Sequence, residues 1–184
     1  MHDRNTRMAE DIAALLDRYE RPLVRYAHSI VGDLESARDV VQDTFIRYTR
    51  DDGAPRDDGK HIEAWLFTVC RHRAIDHQRK FRRIVPMPPN SECLDPDPGP
   101  AELAESRDGE QSLLRLLDQL PSNQREVIRL KFQNDLSYKE ISDVTHLTVT
   151  NVGFLLHTGL RKLRALLVEQ PGLSDLPIRL TSLP

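Results

Sequence analysis

Half of the chain's twelve prolines lie in one stretch, Ile84 to Glu110, where seven acids face a single arginine and the local charge is −6. Each proline removes a backbone donor and fixes φ, and the segment holds too little apolar surface to offset the entropy of ordering it. It therefore reads as a linker over residues 84–110. The rest must build its cores separately, in a region at 8–83 and another at 111–168, with a tail at 169–184.

On both sides of the linker apolar residues recur at steps of three and four, with no convincing two-residue alternation. The expected fold class is all-α, two small helical domains joined by an acidic, proline-rich linker. Ile12, Leu15, Leu16, Tyr19, Leu23, Tyr26, Ala27 and Ile30 trace one face, which Pro22 bends or divides. Gly32 stops that helix and Asp33 caps the next, whose inner face is Ala37, Val40, Val41, Thr44, Phe45 and Tyr48. Ile62, Trp65, Leu66, Val69 and Cys70 carry a third inner face. The second region reads as four helices, LLRLLDQL, PSNQREVIRLKF, SYKEISDV and TVTNVGFLLHTGLRKLRALL. Pro121 suits a first helical turn, and Ser137 with Glu140 forms a capping box.

An apolar content of 39% is sufficient for cores, and the two cysteines, Cys70 and Cys93, lie outside any CxxC pattern. No apolar run approaches the roughly 20 residues of a membrane span, and the N-terminus lacks the apolar stretch of a signal peptide. A cytoplasmic protein with no membrane association is expected.

The net charge of −3 argues against a nucleic-acid partner until its distribution is considered. Lys60 to Arg83 holds seven basic residues and two acids, a local +5. Thr68, Arg71, His72, Ile75 and Arg79 share the face opposite Ile62, Leu66 and Val69, so one face builds a core while the other presents cations to phosphates. Complementing a helix C-terminus needs two or three cations, not seven. In the second region, a short helix, the turn THLT and a long helix have the layout of a helix-turn-helix. Ser142 falls at the crossing, and Val144, Leu147 and Val152 fill the space between. His146 occupies a position that wants positive φ, usually a glycine. Any helical hairpin in a bundle needs the same apolar pattern, so on pattern alone DNA binding and a structural hairpin stand about even.

A metal-dependent nuclease built on His72, Asp76 and His77 fits poorly. His77 turns about 100° away from Asp76, and no second carboxylate completes a site. Cys70 lies on the apolar stripe and reads as core, not as a redox sensor. No catalytic, metal-binding or cofactor-binding residues are expected.

Taken together, AWLFTVCRHRAIDHQRK and LPSNQREVIRLKFQNDLSYKEIS resemble an extracytoplasmic-function sigma factor of bacterial RNA polymerase, from about Leu15 to Leu167 and with both modules in order. The resemblance implies a transcription initiation factor and no enzyme. Region 2 would bind core polymerase and melt the −10 element, region 4 would read the −35 element, and the linker would thread toward the active-site channel. Implied partners are the β′ clamp and β flap of core RNA polymerase and promoter DNA, with room for an anti-sigma factor or other protein regulator.

By the same resemblance, SARDVVQDTF makes Asp39, Gln42, Asp43 and Phe45 candidates for the clamp contact. Ser36 and Arg38 stand where relatives have acids, implying lower or differently distributed clamp affinity. The loop from Asp51 to His61 would capture a flipped −10 base. Arg71, His72, Asp76, Arg79 and Lys80 would hold the opened strand, with His72 in place of the usual asparagine. For the −35 element the candidates are Ser137, Lys139, Thr150, Asn151, His157, Arg161 and Lys162. The family's G-T-V-K-S-R-L pattern is absent, and Phe154 and Leu155 stand where relatives place polar and basic groups. Since Val152, Leu156 and Leu163 already supply an inward stripe, at least one of Phe154 and Leu155 is expected to face outward, as a surface for a protein partner or the other domain. The alternative, a stand-alone helix-turn-helix regulator, has no need of a module combining SARDVVQDTF with WLFTVCRHRAID.

Overall fold

The computed structural model describes the backbone of residues 2–51, 53–55, 59–84 and 114–168, and side chains within these at 12–51, 53–55, 61–81 and 114–168. Nearly all of the linker and the whole C-terminal tail expected above lie outside the described residues. The first three helices are α1 (His2–Val31), α2 (Leu34–Arg50) and α3 (Gly59–Ile84). A helical stretch at 114–118, called α4, is followed by α5 (Ser122–Phe132), α6 (Tyr138–Thr145) and α7 (Val149–Val168). No strand occurs among the described residues. The helices fall into two compact units. One contains α1, α2, α3 and Lys139–His146; the other contains α4, α5 and α7.

In the first unit α1, α2 and α3 each pack on the other two. Pro22 stays inside α1 and does not divide it. The helix ends where Gly32, at φ 82°, takes the left-handed conformation that L residues resist, its N–H donating to the His28 carbonyl at 2.8 Å. Asp33 then starts α2 with extended backbone, and its Oδ2 accepts the Ser36 N–H at 2.7 Å. The buried face of α2 is the expected set, Ala37, Val40, Val41, Thr44, Phe45 and Tyr48. Thr44 is tolerated in this core because its hydroxyl donates to the Val40 carbonyl at 2.8 Å. On α3, Ile62, Leu66, Phe67, Cys70 and Ala74 are buried, whereas Trp65 and Val69 are half-buried. Edge-to-face pairs fix the bundle: Phe67 against Tyr26 at 5.3 Å and Trp65 against Tyr48 at 5.6 Å, each worth about 1 kcal/mol beyond burial. Gln78 ties α3 to the end of α1, its Nε2 donating to the Ile30 carbonyl at 2.6 Å.

In the second unit Asp118 anchors α4 to α5. Its Oδ1 accepts from Arg125 Nη1 at 2.9 Å and from Arg129 Nη2 at 3.3 Å. Arg129 is largely shielded from solvent, so this pair is screened less than a surface ion pair. α7 is capped by Thr148, whose Oγ1 accepts the Asn151 N–H at 3.2 Å, and it buries Val152, Leu155, Leu156, Gly159, Leu160, Leu163 and Leu167. Gly159 marks its closest approach to α5: a Cβ there would stand 2.9 Å from Ile128 Cδ1 and 3.2 Å from Gln124 Cβ.

Candidate nucleic-acid interface

The outer face of α3 exists because its inner face is spent on the bundle. Arg71 is half-buried, while His72, Arg73, Asp76, Arg79 and Lys80 are exposed. Every candidate for the opened strand therefore lies on the side that the core leaves free. His72 is not an isolated side chain there. Its ring stacks on that of His146, centroids 5.1 Å apart and planes 17° off parallel, with the Nε2 atoms 3.0 Å apart. Desolvation, then the charge of His146, then that of Arg71, lower the His72 pKa, with Arg47 acting the same way and Asp76 opposing. His146 adopts the expected left-handed backbone, at φ 58°. The sequence marked it as a turn residue and did not indicate its ring contact.

On α2, Asp39, Gln42 and Asp43 are exposed along one flank. Phe45 is a correction to the expected clamp contacts: it is 6% exposed and belongs to the core. The exposed apolar residue nearby is Ile46, at 38%. The loop after α2 is ordered where described, with Gly53 N–H on Asp51 Oδ1 at 2.9 Å and Tyr48 Oη donating to the Pro55 carbonyl at 3.1 Å. Cys70 is fully buried, and burial pushes its thiol pKa up to about 12, in keeping with a core role.

Ser137 and Lys139, at the start of α6, are exposed. So are Thr150, Asn151, His157, Arg161 and Lys162 on α7. Thr150, Phe154, His157 and Arg161 fall at i, i+4, i+7 and i+11, one continuous outer stripe. Phe154 is 63% exposed in the middle of it, whereas Leu155 is 6% exposed and packs inward. Phe154 thus meets the expectation that at least one of the two faces outward, and Leu155 is corrected from a partner-surface candidate to a core residue, because it shares the buried face with Val152 and Leu156. Two further features were not indicated by the sequence, an exposed Phe81 among the cations of α3 and a cleft bringing Arg73 beside Arg47 and Arg50 of α2. Arg73 lies more than twenty positions from Arg47 and Arg50 in sequence, so only tertiary packing makes it their neighbour.

An all-helical chain with one cationic helix face and one polar recognition-type helix defines a DNA-facing transcription factor. Its sequence matches the family model of sigma-70 region 2 over residues 15–84 and that of sigma-70 region 4 over residues 110–163. The ECF RNA polymerase sigma factor SigL of Mycobacterium tuberculosis is 32% identical over 163 residues, covering 85% of this chain and 88% of the relative. SigM of Bacillus subtilis is 28% identical over 152 residues, covering 80% and 90%. Among solved structures, CnrH in complex with the cytosolic domain of CnrY aligns with a TM-score of 0.62 at 26% identity, covering 88% of this chain and 90% of that one. RpoE of Bartonella quintana, solved with the anti-sigma factor NepR, has the same fold, with a TM-score of 0.66 at 22% identity over 86% and 98% of the two chains. The chain belongs to the extracytoplasmic-function (ECF) sigma factors of bacterial RNA polymerase.

Proposed function

We propose that this chain, as a promoter-directing transcription initiation factor, divides its contacts among three helix faces. Asp39, Gln42 and Asp43 of α2 dock on the β′ clamp of core polymerase. Arg71, His72, Asp76, Arg79 and Lys80 of α3 hold the opened −10 strand. Thr150, Asn151 and His157 of α7 reach base edges of the −35 element, with Arg161 and Lys162 on phosphates and Ser137 and Lys139 beside them. The β flap of core polymerase holds this second module. The observation that carries the reading is the division of α3, whose inner side is closed by Leu66, Phe67, Cys70 and Ala74 while its cations stay outside.

The chain acts by binding and carries no reaction of its own. It works in the cytoplasm, where polymerase is; no helix among the described residues is long and apolar enough to cross a membrane. A protein regulator of the anti-sigma type is a further partner, supported by the complexes of the solved relatives with NepR and CnrY. The exposed Phe154 is the apolar residue on which such a partner would close.

Titration of core polymerase with the labelled chain tests the docking face. Lysine at both Gln42 and Asp43 should weaken core binding and leave the thermal midpoint unchanged, since exposed substitutions usually cost under about 0.5 kcal/mol. Unchanged core affinity would remove α2 from the clamp contact.

A further inference from the structure

A cleft of about 500 Å³ opens on the second unit between α5 and α7, lined by Gln124, Phe154, Thr158, Arg161, Lys162 and Ala165. Its size falls in the ~300–1,000 Å³ range of small-ligand sites. Its wall contains an unsatisfied group. Gly159 lets α5 approach so closely that Gln124 is wedged against α7, where its Nε2 donates to Thr158 Oγ1 at 3.3 Å. Thr158 spends its own proton on the Phe154 carbonyl at 2.8 Å, so toward Gln124 it can only accept, and this fixes which way round the amide lies. Gln124 Oε1 is left buried, with no hydrogen-bond partner among the described residues. A buried acceptor in that state carries an uncompensated desolvation cost, which a ligand N–H would remove.

Two other features of the cleft define the rest of the ligand. The Phe154 ring, 63% exposed, offers an uncovered aromatic face. Arg161 and Lys162 are exposed and have no ion-pair or hydrogen-bond partner among the described residues, so both are free to take an anion. Arg161 lies two turns after Phe154, roughly 10 Å of rise, and helical side chains lean toward the N-terminus, which brings the guanidinium back toward the ring. A bare phosphate or carboxylate would meet the cations but leave Gln124 Oε1 and Phe154 unused. The sugar–phosphate backbone of DNA fails in the same way, since it offers acceptors only. A purine nucleotide supplies all three groups: a flat ring to stack, N–H donors in the plane of that ring, and a phosphate one sugar away.

We propose that the cleft between α5 and α7 binds a free purine nucleotide, its base stacked on Phe154 with an N–H on Gln124 Oε1, and its phosphate on Arg161 and Lys162. Because the same two cations are assigned to −35 phosphates, a bound nucleotide competes with the promoter; that consequence rests on the −35 role given above, whereas the binding itself does not.

The test is isothermal titration calorimetry of the full chain with AMP and with GMP, in the absence of polymerase and DNA. At least one should bind saturably, with a Kd on the order of 0.1 mM. Phe154→Leu and Arg161→Gln should each weaken that binding roughly tenfold. Gln124→Leu should erase the preference for the nucleotide over ribose 5-phosphate. Arg25→Gln, on the exposed surface of α1, should match wild type. In an anisotropy titration of the chain on a promoter duplex, nucleotide at ten times its Kd should weaken duplex binding roughly tenfold; an unchanged duplex affinity would overturn the competition. No saturable binding of either nucleotide, or binding to wild type that ribose 5-phosphate or inorganic phosphate matches, would overturn the cleft assignment and leave the promoter role standing. Binding that survives unchanged in both Phe154→Leu and Arg161→Gln would overturn it equally, by placing the nucleotide elsewhere. Absence of run-off transcription with the wild-type chain would overturn the promoter role and leave the nucleotide site standing.

Discussion

His72 and His146 share one contact: parallel rings 5.1 Å apart, with Nε2 atoms 3.0 Å from each other. Two protonated imidazoles cannot keep this geometry, because both nitrogens would then donate and neither accept. The neutral pair satisfies it with one proton between them. Since the His72 pKa is depressed, the folded ring takes up its proton less readily than the unfolded one. The stability that comes from keeping His72 neutral is therefore present in full above the ordinary value of 6.5 and is lost as the pH falls below it through the folded value. In a residue-resolved NMR titration of the imidazoles, His72 should titrate below 6.5, and His146→Ala should move its midpoint upward. A midpoint indifferent to His146 would remove the electrostatic coupling.

Cys70 offers a probe of core opening. With its thiol fully buried and its pKa near 12, almost no thiolate exists at neutral pH and no reagent reaches it. In a Cys93→Ser background, labelling by a maleimide should be negligible in the native protein and rise with denaturant along the unfolding curve. Fast labelling under native conditions would mean that the first unit opens locally around α3.

Two glycines of α7 should respond oppositely to substitution. A Cβ at Gly153 would stand 3.7 Å from Tyr138 Cε2, an ordinary contact, so Gly153→Ala should gain roughly 0.5–1 kcal/mol of helix stability. At Gly159 even the Cβ is crowded by α5, and Gly159→Val should cost about 1–3 kcal/mol by overpacking. Urea melts of the full chain separate the two; equal shifts would contradict the close approach of α5 and α7.

Phe154 and Leu155 are adjacent and should also part company. Leu155→Ser removes a buried side chain and leaves a hydroxyl in the core, at a cost of about 3 kcal/mol or more. Phe154→Ser should shift stability by less than about 0.5 kcal/mol, because the ring is largely in solvent. A large loss at Phe154 would show that its ring is needed by the module itself.

These two residues also mark what a sequence can and cannot tell. The burial of α2 was legible because its whole inner face follows from one helical period with a glycine stop and an aspartate cap. Phe67 and Ala74 of α3 do not follow from the sequence, whose apolar stripe runs through Trp65 and Val69. Which flank of α3 becomes core is decided by where α1 presents Tyr26, a tertiary fact. Phe45 went wrong for the opposite reason: the family's contact helix suggested a partner for a side chain that its own bundle had already buried. The cationic face of α3 could be read directly from local charge, whereas the Arg50–Arg73 cleft needed two helices side by side.

Asp33 gives a small test of the turn between α1 and α2. Its carboxylate pKa is lowered by the side-chain and backbone hydrogen bonds at Ser36, so its contribution to stability is present above 3.8 and is lost as the pH falls through the folded value. Asp33→Ala should cost about 1 kcal/mol at neutral pH, and Asp33→Asn much less, since an amide oxygen still caps. Thermal melts that rank Asn with Ala would place the stabilisation in charge and not in the cap.

The most direct measurement of the central claim is run-off transcription by core polymerase, with and without this chain, on genomic fragments whose transcript starts are mapped. The account predicts starts that depend on the chain, fall at discrete positions and lie downstream of a shared pair of −35 and −10 sequences. On those promoters Arg79→Ala should reduce transcription from linear duplex far more than from a template with a pre-melted bubble. Transcripts that begin where core polymerase alone begins, or a chain that leaves the start pattern unchanged, would contradict it.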